Sequence, residues 1–498
     1  MSKRNRRSSA TALLLAFVAT ASIVNLISCG GGTPELSRLT VIYSGDIEGF
    51  LKNCGCSGGQ VGGEKRKARL IHMERADAVK PRPTDRERPA EVVVLDIGNF
   101  ANNQSEVWEL YSQGVVRSMT YQDYDMVGLG HHELRYSQED LWELIGETGM
   151  PFTAANLRFT APKTGGDMSS ELNGLLEKFR IIEFASGYRV GVIHVVDTNL
   201  DQEVKDANGV VLDDASEIAA AILRDNRSKA HMWILTAAST AENGIDSSKI
   251  AALTELTLVI GFLGNNPLEE PRATEVLYPF YLSKPYSKAK SVGEATLSFS
   301  THGMDRFVID AKHMLLNSNI KPDERTQAII DELQPRLEDL ELESTRERLQ
   351  SMDPPPHYVG SEDCMMCHQD IYDFMQYTRH VNAYESLVEA GQERSAACLP
   401  CHVTGHGTTS GWNIIHNQEE FRGVTCENCH GPGSYHAEAM YAMQEQRDDY
   451  EFPEDFSEDG RNALGLRDVD VETCRTCHDQ ENSVEFSYRT YYPKIDHT

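Results

Sequence analysis

Four copies of one pentapeptide crowd the last third of this 498-residue chain. They are Cys364-Met365-Met366-Cys367-His368, Cys398-Leu399-Pro400-Cys401-His402, Cys426-Glu427-Asn428-Cys429-His430 and Cys474-Arg475-Thr476-Cys477-His478. Two thiols one helical turn apart can add to both vinyl groups of one porphyrin, and the adjacent imidazole then falls beneath the iron. C-x-x-C-H is the attachment signal for c-type haem. The competing use of such pairs is a zinc knuckle or a disulfide. With 17 histidines in the chain, four chance followers would be an event on the order of one in a million. That decides for four covalent haems on these eight cysteines, with His368, His402, His430 and His478 as proximal ligands.

So polar a stretch of about 140 residues can build only a small core. The porphyrins are expected to supply much of its apolar interior, with short helices around them.

Charge narrows the partners. The formal net charge is −29, which argues against nucleic acid and anionic lipid headgroups. From His357 to Thr498 there are 26 Asp and Glu against 9 Lys and Arg, a difference of −17. That fits redox partner proteins with a basic docking face, although a merely solvated acidic surface gives the same count.

The N-terminus has the pattern of an export signal, with Lys3, Arg4, Arg6 and Arg7 ahead of an apolar run from Ala10 to Ile27. Leu26-Ile27-Ser28-Cys29-Gly30 resembles a bacterial lipobox, with Cys29 as the acylated residue. Ordinary signal cleavage is the alternative. No other run approaches the ~20 apolar residues that span a bilayer. The expectation is an exported lipoprotein, membrane-anchored by lipid and facing the periplasm or the cell surface. Of 11 cysteines, eight go to haem and one to lipid. Cys54 and Cys56 are left as a pair for which a strained disulfide and a shared metal both stay open.

Between residues 39 and 315, strands alternate with helices, the pattern of an α/β domain. Leu39–Ser44 reads as a buried strand running into Gly45-Asp46-Ile47-Glu48-Gly49, with a helix from Gly63 to about Val79. Val92–Asp96 ends in Ile97-Gly98-Asn99. A helix from about Glu106 to Thr120 precedes a strand that ends in Gly130-His131-His132-Glu133. Later strands are read at Arg189–Val196, Met232–Thr236 and Leu256–Phe262. Polar residues at strand ends are where such folds assemble sites.

This order resembles the calcineurin-like metallophosphoesterases of the 5′-nucleotidase branch, in which two metal ions at strand ends activate a hydroxide. The resemblance implies an α/β metallophosphoesterase-like sandwich. Its metal-ligand positions match Asp46 with Glu48, Asp96 with Asn99, and His131 with His132 and Glu133. Glu48 stands where the family has histidine, Asn99 where it has the bridging aspartate, and His131 where it has asparagine. Trp233–Ser239 and Ile260–Asn266 lack the family's later histidines. Too few donors remain for two divalent ions, so a retained fold without efficient hydrolysis is expected. A residual divalent metal on Asp46, Glu48, Asn99, His131 and His132 is weighed against a hydrogen-bonded histidine pair.

From Pro322 to Met352 the chain is charged and helical, with Ile330, Leu333, Leu337 and Leu340 forming one apolar stripe. Pro335 is expected to kink this helix or begin a new one. Pro354-Pro355-Pro356 is a stiff break. The organisation is therefore multidomain: 1–29 signal peptide with lipobox, 30–315 phosphoesterase-like domain, 316–356 helical connector, and 357–498 a mainly α, haem-packed tetrahaem domain.

The last region also resembles the cytochrome c-554 type of tetrahaem protein. The likeness lies in Tyr358–Cys364, Tyr377–His380, Cys398–Gly405, Gly423–His436 and Tyr492–His497. It implies distal iron ligands beyond the motifs: His436 for the haem of His368, His380 for that of His478, and His497 for that of His430. The haem of His402 is the one the family tends to leave five-coordinate. His406 departs from an aromatic and lies on the same turn as His402, which suits a propionate or surface contact. His357 and His416 receive no role.

Electron transfer is therefore the favoured reading, ahead of two alternatives. One is a haem enzyme acting on a small nitrogen oxide or hydroxylamine at the His402 iron. The other is a metal-dependent phosphoesterase fused to a cytochrome.

Overall fold

A computed structural model describes residues 36–52, 61–85, 88–238, 288–300, 303–351, 354–395, 398–445, 464–478 and 486–497, with short pieces between 249 and 283 and at 483. Cys29, Cys54 and Cys56, and residues 262–266, lie outside the described residues.

The first region is built on two six-stranded sheets. One runs β14-β13-β1-β2-β3-β4, from β1 (Arg38–Ser44), β2 (Ala90–Asp96), β3 (Met126–Gly128), β4 (Phe152–Thr153), β13 (Ser291–Ser300) and β14 (Gly303–Leu315). The first four are parallel, and the β13–β14 hairpin adds antiparallel to β1. The other runs β11-β12-β10-β9-β7-β6. Its strands are β6 (Arg180–Glu183), β7 (Arg189–Val196), β9 (Met232–Ala238), β10 (Leu256–Gly261), β11 (Glu275–Leu277) and β12 (Phe280–Ser283). A small pair, β5 (Leu157–Phe159) and β8 (Val210–Leu212), lies apart.

Period-two alternation explains why the sheets stack. Leu39, Val41 and Tyr43 of β1 join Val93, Leu95, Val190, Val192, Ile234 and Leu258 in a core between the sheets. The intervening Ile42 and Val94 face the opposite way, into a core shared with helices α1 (Glu64–Ala78) and α2 (Glu106–Met119). Ile193, Val195 and Leu235 do the same on the far side, against Ala219 and Leu223. The result is a four-layer α/β sandwich, to which each fully buried aliphatic side chain contributes about 1.5–3 kcal/mol.

The connector stripe belongs to the first of these outer layers. Glu324–Arg348 is one 25-residue helix that continues through Pro335. Asp323 caps it, its carboxylate accepting from the Thr326 amide at 3.0 Å. Ile330, Leu333 and Leu337 are buried in the core of α2. That packing on both sides of Pro335 holds the halves together despite the missing backbone donor. Close approach is set at Gly114 of α2, where a Cβ would lie 2.5 Å from Leu51 Cδ2 and 2.8 Å from Leu333 Cδ1.

The last region is short helices joined by loops. Among the described residues its apolar cluster of buried residues is Tyr384, Leu387, Leu399, Val403, Trp412 and Phe421. The small core expected of this composition is what is found.

Candidate functional site

Each cysteine motif sits on a single helical turn. The turns are Ser361–Met365, Leu399–His402, Cys426–His430 and Val471–Arg475. The His368 amide donates to the Cys364 carbonyl at 2.9 Å, and His478 to Cys474 at 2.8 Å. Two of the turns carry capping boxes, Thr425 with Asn428 and Asp470 with Thr473. Such caps satisfy the otherwise orphaned first amides of the turn. No disulfide joins any of the eight cysteines. Motifs far apart in sequence adjoin: Cys426 Sγ lies 3.6 Å from Ser361 Oγ, and Cys401 Sγ 3.9 Å from the Thr476 carbonyl.

Three motif histidines face a histidine from elsewhere. Ring centroids are 6.4 Å apart for His368 and His436, 5.9 Å for His380 and His478, and 5.9 Å for His430 and His497. A metal–imidazole bond of about 2 Å on each side, plus about 1 Å from each nitrogen to its ring centre, gives about 6 Å. The residues therefore fit a bis-histidine iron at three places. Nδ1 of His402 donates to the Ala383 carbonyl at 2.6 Å, and Nδ1 of His497 to that of Ile495 at 3.0 Å. A carbonyl only accepts, so Nδ1 holds the proton and Nε2 keeps the lone pair that a metal takes. His380 and His436 lack that orienting bond, since their buried Nδ1 atoms have no partner.

His406 does not face His402. Its ring stacks on Trp412 at 6.3 Å, and its Nε2 lies 3.3 Å from Glu341 Oε1 on the connector helix. Its partner is thus a carboxylate of the connector helix. His357 contributes its amide to Ser434 Oγ, and His416 its amide to Asn413 Oδ1.

Glu427 is a residue that sequence reasoning missed. Buried inside the third motif, its carboxylate accepts from the amides of Val359 (3.0 Å), Gly360 (2.9 Å) and Gly433 (2.8 Å). It ties the chain entering the first motif to the helix that carries His436. Burial raises its pKa, and the three amide bonds oppose that. The only sequence signal was an acid inside a motif next to Gly431-Pro432-Gly433.

At the strand ends of the sandwich, Asp46, Glu48 and Asn99 all adopt left-handed φ, of 50°, 55° and 57°. The loops hold these strained conformations, about 1–2 kcal/mol each, by mutual bonds. Asn99 Nδ2 donates to Asp46 Oδ1 at 2.8 Å, and Asn99 Oδ1 accepts from the His132 amide at 3.2 Å. An amide donor thus faces the Asp46 carboxylate. The Glu133 carboxylate collects the amides of Asn99, Ala101 and Gly130 at 2.7–2.9 Å. Burial lifts the Glu48 pKa to about 7, with Asp46 adding and Lys288 and Lys290 opposing.

The two histidines diverge. His131 Nε2 lies 3.0 Å from Asp197 Oδ1, whereas His132 Nδ1 meets the Ala101 carbonyl at 3.2 Å. Among the described residues no three His, Cys, Asp or Glu come together as a metal-holding group. His194, unremarked in the sequence, is fully buried between Leu129 O (2.8 Å) and Thr236 Oγ1 (2.9 Å), and burial lowers its pKa to about 4.

The two regions meet at the second motif. Arg394 Nη1 pairs with Glu338 Oε2 at 3.0 Å, alongside His406 with Glu341. Burial pushes the Tyr111 hydroxyl of α2 up to about 12, and Ser395 of the last region opposes the shift. Lys52 reaches Gln334 Oε1 at 2.5 Å and lies within electrostatic reach of Cys398. Burial pushes the Cys398 thiol up, and Ser395 and Lys52 offset it.

Residues 363–431 match the family model described as cytochrome c554 and c-prime. Over 170 residues the chain is 26% identical to cytochrome c-554 of Nitrosomonas europaea, covering 30% of this chain and 70% of that protein. The reduced-state structure of cytochrome c554 from that organism aligns at 23% identity and TM-score 0.22, over 29% of this chain and 80% of its own. The first region overlaps calcineurin-like phosphoesterases. A 5′-nucleotidase precursor from Thermus thermophilus aligns at 16% identity and TM-score 0.44, over 60% of this chain and 59% of its own. Phosphoesterase YfkN from Bacillus subtilis aligns at 16% and 0.45, over 61% and 98%.

Proposed function

We propose that residues 357–498 carry electrons through four c-type haems, attached at Cys364/Cys367, Cys398/Cys401, Cys426/Cys429 and Cys474/Cys477. The observation that carries this reading is the facing of His368 with His436, His478 with His380, and His430 with His497 at 5.9–6.4 Å. When bound, haem supplies a one-electron ferric–ferrous couple. The chain's own part would be to hold two imidazoles at each of three haems and the single imidazole of His402 at the fourth. Four motifs on about 140 residues keep the centres close, and the acidic surface steers a basic partner protein.

A second reading has one observation in its favour. His406 contacts Glu341 and Trp412, so His402 would hold a haem without a second histidine, and that haem would supply a binding place for a small ligand such as a nitrogen oxide or hydroxylamine.

For the sandwich we propose a scaffold without phosphoester hydrolysis, because Asn99 donates to Asp46 where a carboxylate would bridge metals. A lipid on Cys29, holding the exported protein at the membrane, completes the proposal.

A haem-stained mass measurement with electron paramagnetic resonance tests the first reading. Four haems and three low-spin signals are expected, and a colourless chain would overturn it. A wholly low-spin spectrum removes the open site. Release of p-nitrophenol from a phosphodiester with Mn²⁺ would restore the hydrolase. Loss of membrane fractionation in Cys29→Ser checks the anchor.

A further inference from the structure

A groove of about 480 Å³ lies between the start of α2 and the C-terminal half of the Glu324–Arg348 helix. Its apolar part is Trp108 with Leu340, and Glu106, Glu343 and Glu347 line it as well. Glu341, also in the lining, is buried and already taken, with His406 Nε2 3.3 Å and Arg348 Nη2 3.6 Å from its Oε1. The other three carboxylates differ. Among the described residues no lysine, arginine or histidine comes within ion-pair distance of Glu106, Glu343 or Glu347. Arg346, the other cation at this end of the helix, is not part of the lining. Glu347 sits in the helix's last turn, where the macrodipole is negative, so a cation from outside would relieve it.

Carboxylates beside an apolar strip can hold the charged head of a long basic side chain while its methylene stem covers the strip. An indole face adds its own attraction for the cation. We propose that this groove receives lysine or arginine side chains protruding from a basic redox partner protein. The proposal rests on the electron-carrier reading above, which requires such a partner. Pockets of several hundred Å³ enclose ligands of drug size, so the partner would present these side chains on a protrusion. A chain of net charge −29 draws in a basic protein from many sides, and the groove would fix where it stops. That place borders the second motif, because Glu341 both lines the groove and meets His406, four residues beyond His402.

The test is calorimetric binding of mitochondrial cytochrome c, a lysine-rich protein used as the probe, at low ionic strength. The full-length holoprotein is compared with three variants. Glu106→Gln/Glu343→Gln/Glu347→Gln removes the groove's unpaired charge. Glu171→Gln/Glu203→Gln/Glu217→Gln removes as much from exposed positions of the sandwich outside the groove. Ser344→Phe keeps the charge and fills the groove, which Ser344 lines. Kd should rise about ten- to thirtyfold in the groove triple, at about two- to threefold for each pair lost, and no more than about threefold in the control. Ser344→Phe should weaken binding at least as far as the groove triple. A parent that does not bind, a control that weakens as much as the groove triple, or a Ser344→Phe protein that binds like the parent overturns the groove. A holoprotein without a reduced haem band overturns the electron-carrier reading instead, and is seen before any titration.

Discussion

The ring of His380 lies 5.9 Å from that of His478, centroid to centroid, with the planes inclined at 48°. His380 sits in the loop before the Ala383–Glu389 helix, and its carbonyl accepts from the Val424 amide at 2.9 Å. A bond to the third motif's lead-in therefore positions His380 against the fourth motif's histidine. Replacing His380 by alanine should convert one low-spin signal to high spin while leaving haem content at four. Electron paramagnetic resonance of the purified variant checks this, and an unchanged low-spin set would be the contrary result.

Glu427 accepts from three amides. Glu427→Leu strands all three, at about 1–3 kcal/mol for each buried donor left unsatisfied. Glu427→Gln keeps a carbonyl and should cost well under half as much. Urea unfolding followed by haem absorption distinguishes them, and equal midpoints would show that the clamp contributes nothing.

Stability should also respond to Glu48. Its pKa rises from 4.5 to about 7 on folding, so between those values the native state binds more protons than the unfolded chain. Stability is then fully present below about 4.5 and is lost as pH rises through about 7, by about 3 kcal/mol at most. In Glu48→Gln that decline should vanish. Denaturant midpoints at pH 5 and pH 8 give the comparison. Groups remote from Glu48 contribute equally to both proteins and cancel in the difference.

Gly114 admits no side chain without moving Leu51 or Leu333. Gly114→Val should cost about 1–3 kcal/mol by overpacking. It should also raise protease sensitivity in the connector. Limited proteolysis with mass mapping locates the cleavage, and a fragment pattern like the parent's would count against the packing described.

Much of this was legible in the chain. The motifs gave the cysteine turns, and short apolar runs gave β1, β2, β7, β9 and β10 within a residue or two. The histidine partners came from resemblance; spacing alone could not have paired His380 with His478. The β13–β14 hairpin went unread, because its strands carry polar residues such as Glu294, Asp310 and Lys312. Glu427, His194 and Lys52 act through contacts with residues distant in sequence, and no local pattern encodes a long-range partner. The stripe on the connector was plain, but its burial against α2 depends on the absent side chain of Gly114. Pro335 was expected to kink the helix or begin a new one, and one helix continues through it.

The Glu324–Arg348 helix is about 37 Å long at 1.5 Å per residue. Its apolar edge is sunk in the sandwich, while Glu338 and Glu341 grip Arg394 and His406 of the other half. Such a rod works as a strut where a loose tether would let the halves drift. One helix thus carries the packing of the sandwich along one edge and contacts beside the second cysteine motif along another.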